Sequence, residues 1–319
     1  MTKSLPIRIE NRNHELYVYW LITDWCNQQC SYCPSILNQG DFHKGRRPGF
    51  PSREQLLKFC DTLNHHHEAS GRRLRVTLTG GEPTIHPDFA DILAKLKPLG
   101  WVEVITNGTR SSTWWQTLAQ LPDRVVISLH PEYYDRRVER INDLTRFLVS
   151  RGVVVVYNLI ALPDKWHMVQ RMHQDLDPEY RPWVIPKLVQ DLTDLQARPR
   201  VAYTAEQLAW IKEYPTRVAS VLANTSMVYR EDLSQEPTRP YQLMADNQHR
   251  FRGWYCAAGV SSINVDYEGR VAAGICTSEM LGTIDSFQLR DQYLRCHKSE
   301  CTCPGDIIVD KYRWDQLNT

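Results

Sequence analysis

Three cysteines fall within eight residues, in the run Cys26-Asn27-Gln28-Gln29-Cys30-Ser31-Tyr32-Cys33. Thiolates are nucleophiles, redox partners and soft metal ligands, and three on one short loop can reach a single inorganic centre. Zinc sites usually draw their cysteines from two separated pairs. Three on one loop also fit an iron–sulfur cluster with one iron left open, and the spacing leaves both readings standing. Five more cysteines gather in the last quarter of the chain, Cys256, Cys276, Cys296, Cys301 and Cys303, and Cys60 stands alone. The count of nine is odd, and the N-terminus, MTKSLPIRIENRNHE, lacks the apolar core of an export signal. A disulfide framework is therefore a poor reading, and clustered thiols in a reducing, cytoplasmic setting point to metal or Fe–S ligation. The second motif is Gly80-Gly81-Glu82-Pro83. Two glycines let a backbone come close to a ligand, and Glu82 can accept a bond from an amine. An ordinary strand-to-helix turn is the plainer reading of the same four residues.

Residues 16 to 190 alternate strand-like and helix-like segments. Apolar and β-branched runs predict strands over Leu16–Thr23, Leu74–Thr79, Val102–Thr106, Arg124–Leu129, Val153–Ala161 and Trp183–Val189. Helices are predicted over Ser52–Ala69, Pro87–Leu96, Thr113–Gln120, Tyr134–Val149 and Asp164–Asp175. Ser52 and Gln55 have capping-box spacing, with Leu56, Phe59, Cys60 and Leu63 on one face. Parallel neighbours need crossover connections, so these β-then-α units imply a parallel sheet, open or curled into a partial barrel. Ligands of such sheets sit at the C-terminal strand ends. There the first strand delivers the cysteine loop, the second the glycines, the third Thr106-Asn107-Gly108 and the fourth Ser128-Leu129-His130. His130 is a substrate-contact candidate at this edge. Asn158, in the fifth strand, is either another polar contact or a satisfied core amide.

Residues 191–250 read as a charged connector or substrate cap with a helix over Thr204–Ala223, and 251–319 as a Cys-rich domain. In the latter, Ser261–Asp266 and Val271–Ile275 flank the turn Tyr267-Glu268-Gly269-Arg270. The result is a hairpin with Cys256 and Cys276 beyond its outer ends. The formal net charge of +1 gives no sign of a nucleic-acid surface. The longest apolar stretches, Leu16–Ile22 and Val153–Leu162, fall short of the roughly 20 residues of a membrane span. Cys60, Trp114-Trp115 and Tyr133-Tyr134 read as packing residues, and His65-His66-His67-Glu68 as a solvated helix end.

The cysteine loop, Gly80–Pro83 and the βα pattern together resemble the radical S-adenosylmethionine (SAM) superfamily. The resemblance implies an α/β fold, a partial (βα)6 parallel barrel over 1–190 with a small C-terminal hairpin-and-helix Fe–S domain. It makes Cys26, Cys30 and Cys33 ligands of a [4Fe–4S] cluster whose fourth iron SAM chelates. It sets Gly80, Gly81 and Glu82 at the SAM amino group, Tyr32 against adenine, and Asn107 and Ser128 at ribose or carboxylate. The tail resembles the twitch and SPASM auxiliary-cluster domains. That implies one further [4Fe–4S] cluster on Cys256 and Cys276 plus two of Cys296, Cys301 and Cys303, with zinc on the same thiols as the alternative. The implied reaction is reductive cleavage of SAM to a 5′-deoxyadenosyl radical that abstracts hydrogen from a substrate carbon. It serves oxidative cross-linking, epimerisation or dehydrogenation of a peptide or small molecule, with an external flavodoxin- or ferredoxin-type donor. Only 25 residues precede Cys26, which tilts the expectation toward a small molecule or a separate recognition partner. A non-catalytic Fe–S or zinc protein for electron transfer or assembly is the contrasting reading. Gly80–Pro83 speaks against it, since an electron carrier needs no SAM pocket.

Overall fold

The computed structural model describes residues 4–11, 14–33, 50–133, 137–189, 201–214, 226–238, 240–301 and 303–313. After β1 (Pro6–Glu10) come β2 (Glu15–Thr23), β3 (Arg73–Gly80), β4 (Gly100–Thr106), β5 (Arg124–Leu129), β6 (Val154–Ala161) and β7 (Val184–Leu188). Strands β2 to β7 are neighbours in sequence order and every pairing among them is parallel. The crossovers carry α1 (Arg53–Ser70), α2 (Phe89–Leu96), α3 (Ser112–Gln116), α4 (Arg137–Ser150) and α5 (Trp166–Asp175). Helix α1 starts where the capping box predicts: Ser52 takes the Gln55 N–H while the Gln55 side chain takes that of Ser52. Helix α3 is shorter than predicted, ending where Thr117 N–H turns back to Trp114 and Trp115.

Alternation along the strands gives the sheet two different faces. Val18, Trp20, Val76, Leu78, Val104, Ile127 and Tyr157 join one buried core with Leu56, Phe59, Cys60 and Leu63 of α1. The other face is polar at its middle. Cross-strand partners there run from Tyr19 to Thr77 to Glu103 to Arg124. Glu103 and Arg124 form a buried ion pair, and Thr77 Oγ1 donates to Glu103 at 3.2 Å.

The sequence segments and the sheets do not coincide. The second sheet has the order β15-β10-β16-β1-β8-β9. It combines the N-terminal strand with β8 (Ser226–Arg230), β9 (Gln235–Thr238), β10 (Tyr255–Cys256), β15 (Leu294–Arg295) and β16 (Lys311–Tyr312). Conversely, the hairpin of β11 (Ser262–Val265) and β12 (Arg270–Ala273) leaves the Cys-rich segment to join the parallel sheet. Strand β11 pairs parallel to β2, Ile263 against Val18. This covers the edge that β2 would otherwise expose. Strands β13 (Met280–Thr283) and β14 (Ser286–Phe287) extend the same sheet. Among the described residues no strand joins β14 to β7, so the sheet is not closed. Of the helix expected over Thr204–Ala223, α6 (Ala205–Glu213) is present and 215–225 lie outside the described residues, as do 134–136 of the helix expected from Tyr134. Helices α7 (Pro240–Ala245) and α8 (Pro304–Ile307) complete the chain. Among the described residues no helix is long and apolar enough to cross a membrane.

Candidate functional site

The cysteine loop leaves β2 at Thr23 and is clamped at once to the glycine turn after β3. Gly81 N–H donates to Thr23 O at 2.8 Å and Glu82 N–H to Trp25 O at 2.6 Å. A Cβ on Gly80 would lie 2.1 Å from Thr23 O, and one on Gly81 2.1 Å from Trp25 O. Gly80 also has φ +127°, a conformation that side chains resist. The close approach these glycines permit is thus to the chain's own backbone, at Thr23 and Trp25, three residues and one residue before Cys26. The Glu82 carboxylate is fully buried and joins the ends of β3 and β4. Its Oε1 accepts from Thr84 N at 3.0 Å, Thr84 Oγ1, and Thr106 Oγ1 at 2.8 Å, and its Oε2 accepts from Asn107 N at 2.6 Å. Burial pushes its pKa up, and these bonds pull the other way.

Asn107 carries the connection on to the loop. Its Nδ2 donates to Asn27 Oδ1 at 2.8 Å and lies 3.8 Å from Cys26 Sγ, which Gln28 N–H also approaches at 3.4 Å. Donors on a sulfur favour its thiolate. The far half of the loop is held from the end of β5. His130 Nδ1 lies 2.7 Å from the Tyr32 hydroxyl and 3.5 Å from Cys30 Sγ, and the His130 and Tyr32 rings stack at 6.0 Å. Glu132 accepts from Ser31 N at 2.8 Å, and Tyr133 Oη from Gln29 N. His130, read from sequence as a substrate contact, here faces the loop. Ser128 and Asn158 are cross-strand partners on β5 and β6, both half-buried, so Asn158 is not a sealed core amide.

Burial pushes the Cys30 thiol up to about 12 and that of Cys33 to about 11, with neighbouring sulfurs adding to both. A bound metal centre reverses that preference by taking charge from the thiolates. Among the described residues no three Cys, His, Asp or Glu side chains converge on one metal ion. A cubane cluster, whose thiolates go to separate irons, does not require that convergence.

The C-terminal thiols come from separate segments. Cys256 on β10 is the cross-strand partner of Lys311 on β16. Cys276 follows β12, where the buried Asp306 carboxylate accepts from Ile275 N at 2.9 Å and Cys276 N at 2.5 Å. Asp306 N–H donates to Cys303 O at 3.0 Å, Cys301 N–H to His249 O at 2.9 Å, and Cys296 N–H to Trp254 O at 2.8 Å. Burial pushes Cys276 up to about 12, with the Asp306 carboxylate and the Cys256 sulfur adding to it. Burial raises Cys301 well above the thiol range. Lys311 opposes this, and Asp306, Cys256 and Cys303 add to it. Cys303 in turn acts on Tyr19, whose hydroxyl burial pushes up to about 12. A Cβ on Gly305, two residues after Cys303, would meet the Tyr17 ring at 3.0 Å, so this segment lies against the polar face of the parallel sheet. Asp306 and Lys311 escaped the reading of the sequence, because neither has a motif or a spacing to mark it.

Residues 20–172 match the family described as the Radical SAM superfamily. The chain is 27% identical over 155 residues to a GTP 3′,8-cyclase of Haemophilus influenzae (strain 86-028NP), covering 46% of this chain and 43% of that protein. It is 33% identical over 121 residues to a probable GTP 3′,8-cyclase of Thermococcus kodakarensis, covering 36% of each. The chain thus spans less than half the length of these relatives. Among solved structures, native anSMEcpe with bound AdoMet aligns with TM-score 0.53 and 14% identity over 85% of this chain and 78% of that one. Streptococcus suis SuiB bound to precursor peptide SuiA aligns with TM-score 0.51 and 12% identity over 87% and 64%. At those identities the likeness is one of fold.

Proposed function

We propose that this chain, whose residues 20–172 match the Radical SAM superfamily, is an enzyme of that class that abstracts hydrogen from a carbon of a peptide or small-molecule substrate in an oxidative modification. The observation that carries the proposal is the cysteine loop at the C-terminal edge of the parallel sheet, clamped by Gly81 and Glu82 and held from behind by His130 and Glu132. The donor set fits a cluster: three neighbouring soft ligands, with Gln28 N and Asn107 Nδ2 directed at Cys26 Sγ. Bound there, a [4Fe–4S] cluster with SAM supplies one-electron bond cleavage and hydrogen abstraction.

The chain's own residues divide the remaining work. Cys26, Cys30 and Cys33 hold the cluster. Glu82 is assigned to fixing the turn and Asn107, with its bonds exhausted on the turn and loop, to orienting Cys26. That leaves the backbone of Gly80 and Gly81, with Tyr32, Ser128 and Asn158, to contact SAM. The C-terminal thiols fit a second cluster on Cys256, Cys276, Cys301 and one of Cys296 and Cys303. Such a cluster supplies an electron acceptor, which favours net oxidation. The external reductant is of flavodoxin or ferredoxin type, and the setting is cytoplasmic.

A peptide substrate is supported by the SuiB neighbour, whose structure contains its precursor peptide. A purine nucleotide is the second reading, supported by the relatives named GTP 3′,8-cyclase. Anaerobic reconstitution, followed by SAM and a reductant, tests the enzyme reading through 5′-deoxyadenosine. Failure to form it in protein holding about eight irons removes the proposal. GTP consumption with a cyclised product would replace the oxidative reading with the second.

A further inference from the structure

Lys311 is a buried ammonium that belongs to no part of the cysteine loop. It is 1% exposed. Its Nζ donates to the backbone carbonyls of Asp306 and of Val309, the latter at 3.1 Å. The same Nζ lies 5.4 Å from the centre of the Phe251 ring, a ring in the cluster against which Cys296 and Cys301 pack. On the sheet, Lys311 stands directly opposite Cys256 in the β10–β16 ladder, so the two side chains share a face. A lysine taken out of water needs a compensating negative charge nearby. The buried Asp306 carboxylate does not accept from Nζ, because it is turned to the backbone of Ile275 and Cys276. Asp306 therefore acts on the ammonium only through space, and the other anions beside it are the thiolates of Cys256 and Cys301.

We infer that Lys311 is the counter-cation of the C-terminal cysteine centre and raises the reduction potential of the cluster bound there. The inference rests on the auxiliary-cluster reading proposed above. Reduction adds a negative charge to an already anionic, thiolate-ligated cluster in a water-poor interior. A fixed positive charge beside it stabilises the reduced form more than the oxidised one. Net charge, hydrogen bonding and exposure are the protein's means of setting such potentials.

The test uses the full chain in the Cys26→Ala, Cys30→Ala, Cys33→Ala background, where only the C-terminal cluster contributes to the spectrum. The midpoint potential is read by EPR-monitored redox titration in that parent and with Lys311→Met or Lys311→Arg added. The Met variant keeps the length of the side chain without the charge. It should lower the reduced-to-oxidised ratio at a given potential by about tenfold, 59 mV for a one-electron couple. The Arg variant should stay within about threefold of the parent. Loss of iron from the Met variant alone, with the Arg variant loaded, also supports the inference, since charge is then what holds the anionic centre. About four irons with an unshifted potential in the Met variant overturns the role of Lys311 and leaves the second cluster standing. Loss of iron from both variants makes the requirement one of shape and overturns it too. A parent without iron removes the second cluster and this inference together.

Discussion

The two cysteine regions are built in opposite ways. In the loop from Cys26 to Cys33 the thiols are neighbours along the chain, and the fold needs only to grip one segment. It does so from β3, β4 and β5, through Glu82, Asn107, His130 and Glu132. At the C-terminus Cys296, Cys301 and Cys303 share one short segment before α8, but Cys256 on β10 and Cys276 at the end of β12 reach them only through the fold. Each region is organised by one buried carboxylate, Glu82 in the first and Asp306 in the second. The buried cation differs. Lys311 stands against the C-terminal thiols, and although burial favours losing its proton, Cys256 and Cys301 hold its pKa above the ordinary lysine range. Lys187, on the polar face of the parallel sheet, shifts the other way because burial outweighs the charge beside it. Its pKa falls to about 8, with Glu103 only partly opposing the shift. A contiguous ligand loop is thus positioned by hydrogen bonds to its backbone, while a dispersed set also requires charge balance in the interior.

The sharpest way to break this comparison is to empty one region and watch the other. Replacing Cys26, Cys30 and Cys33 together by Ala should abolish 5′-deoxyadenosine formation while about four irons per chain remain. Replacing Cys256 and Cys276 should leave SAM cleavage intact and remove the other four. If either change empties both regions, they are not independent.

Next in size is Gly81→Ala. The new Cβ would meet Trp25 O at 2.1 Å, so backbone must move beside Cys26. We expect a destabilisation of roughly 2–4 kcal/mol in denaturant unfolding, with iron lost from the N-terminal region and kept at the C-terminus. Unchanged stability and iron would show that the clamp does not position the loop.

Lys187→Met probes the contrast between the lysines. The unfolded-state pKa is 10.5 and the folded one about 8, so between those values the unfolded chain binds the extra proton. Wild-type stability should therefore rise with pH across that window, by about 1–2 kcal/mol after allowance for screening. The Met variant should lack the rise, and parallel pH profiles would refute the assignment. The smallest effect is expected at Cys60, 1% exposed in the core under α1. Cys60→Ala should cost about 1 kcal/mol and leave the iron content unchanged; a loss of iron would give this thiol a ligand role.

The order of strands and helices from residue 16 to 190 was legible because its signals are local. Alternating or continuous apolar runs mark strands, and Ser52 with Gln55 marks the start of α1 within one turn. The cysteine loop was legible for the same reason, since its spacing lies within eight residues. The glycine turn was legible as a motif, but its physical cause was not. That cause is the approach of Thr23 and Trp25 from a strand more than fifty residues earlier. Nothing local marks Pro6–Glu10 for a sheet with β8 and β16, or sends the β11–β12 hairpin to the open edge of β2. Those pairings follow from which exposed edges and apolar faces remain once the parallel sheet has formed. The same holds for Asp306 and Lys311: a carboxylate and an ammonium acquire their partners from burial, and burial is a property of the assembled chain.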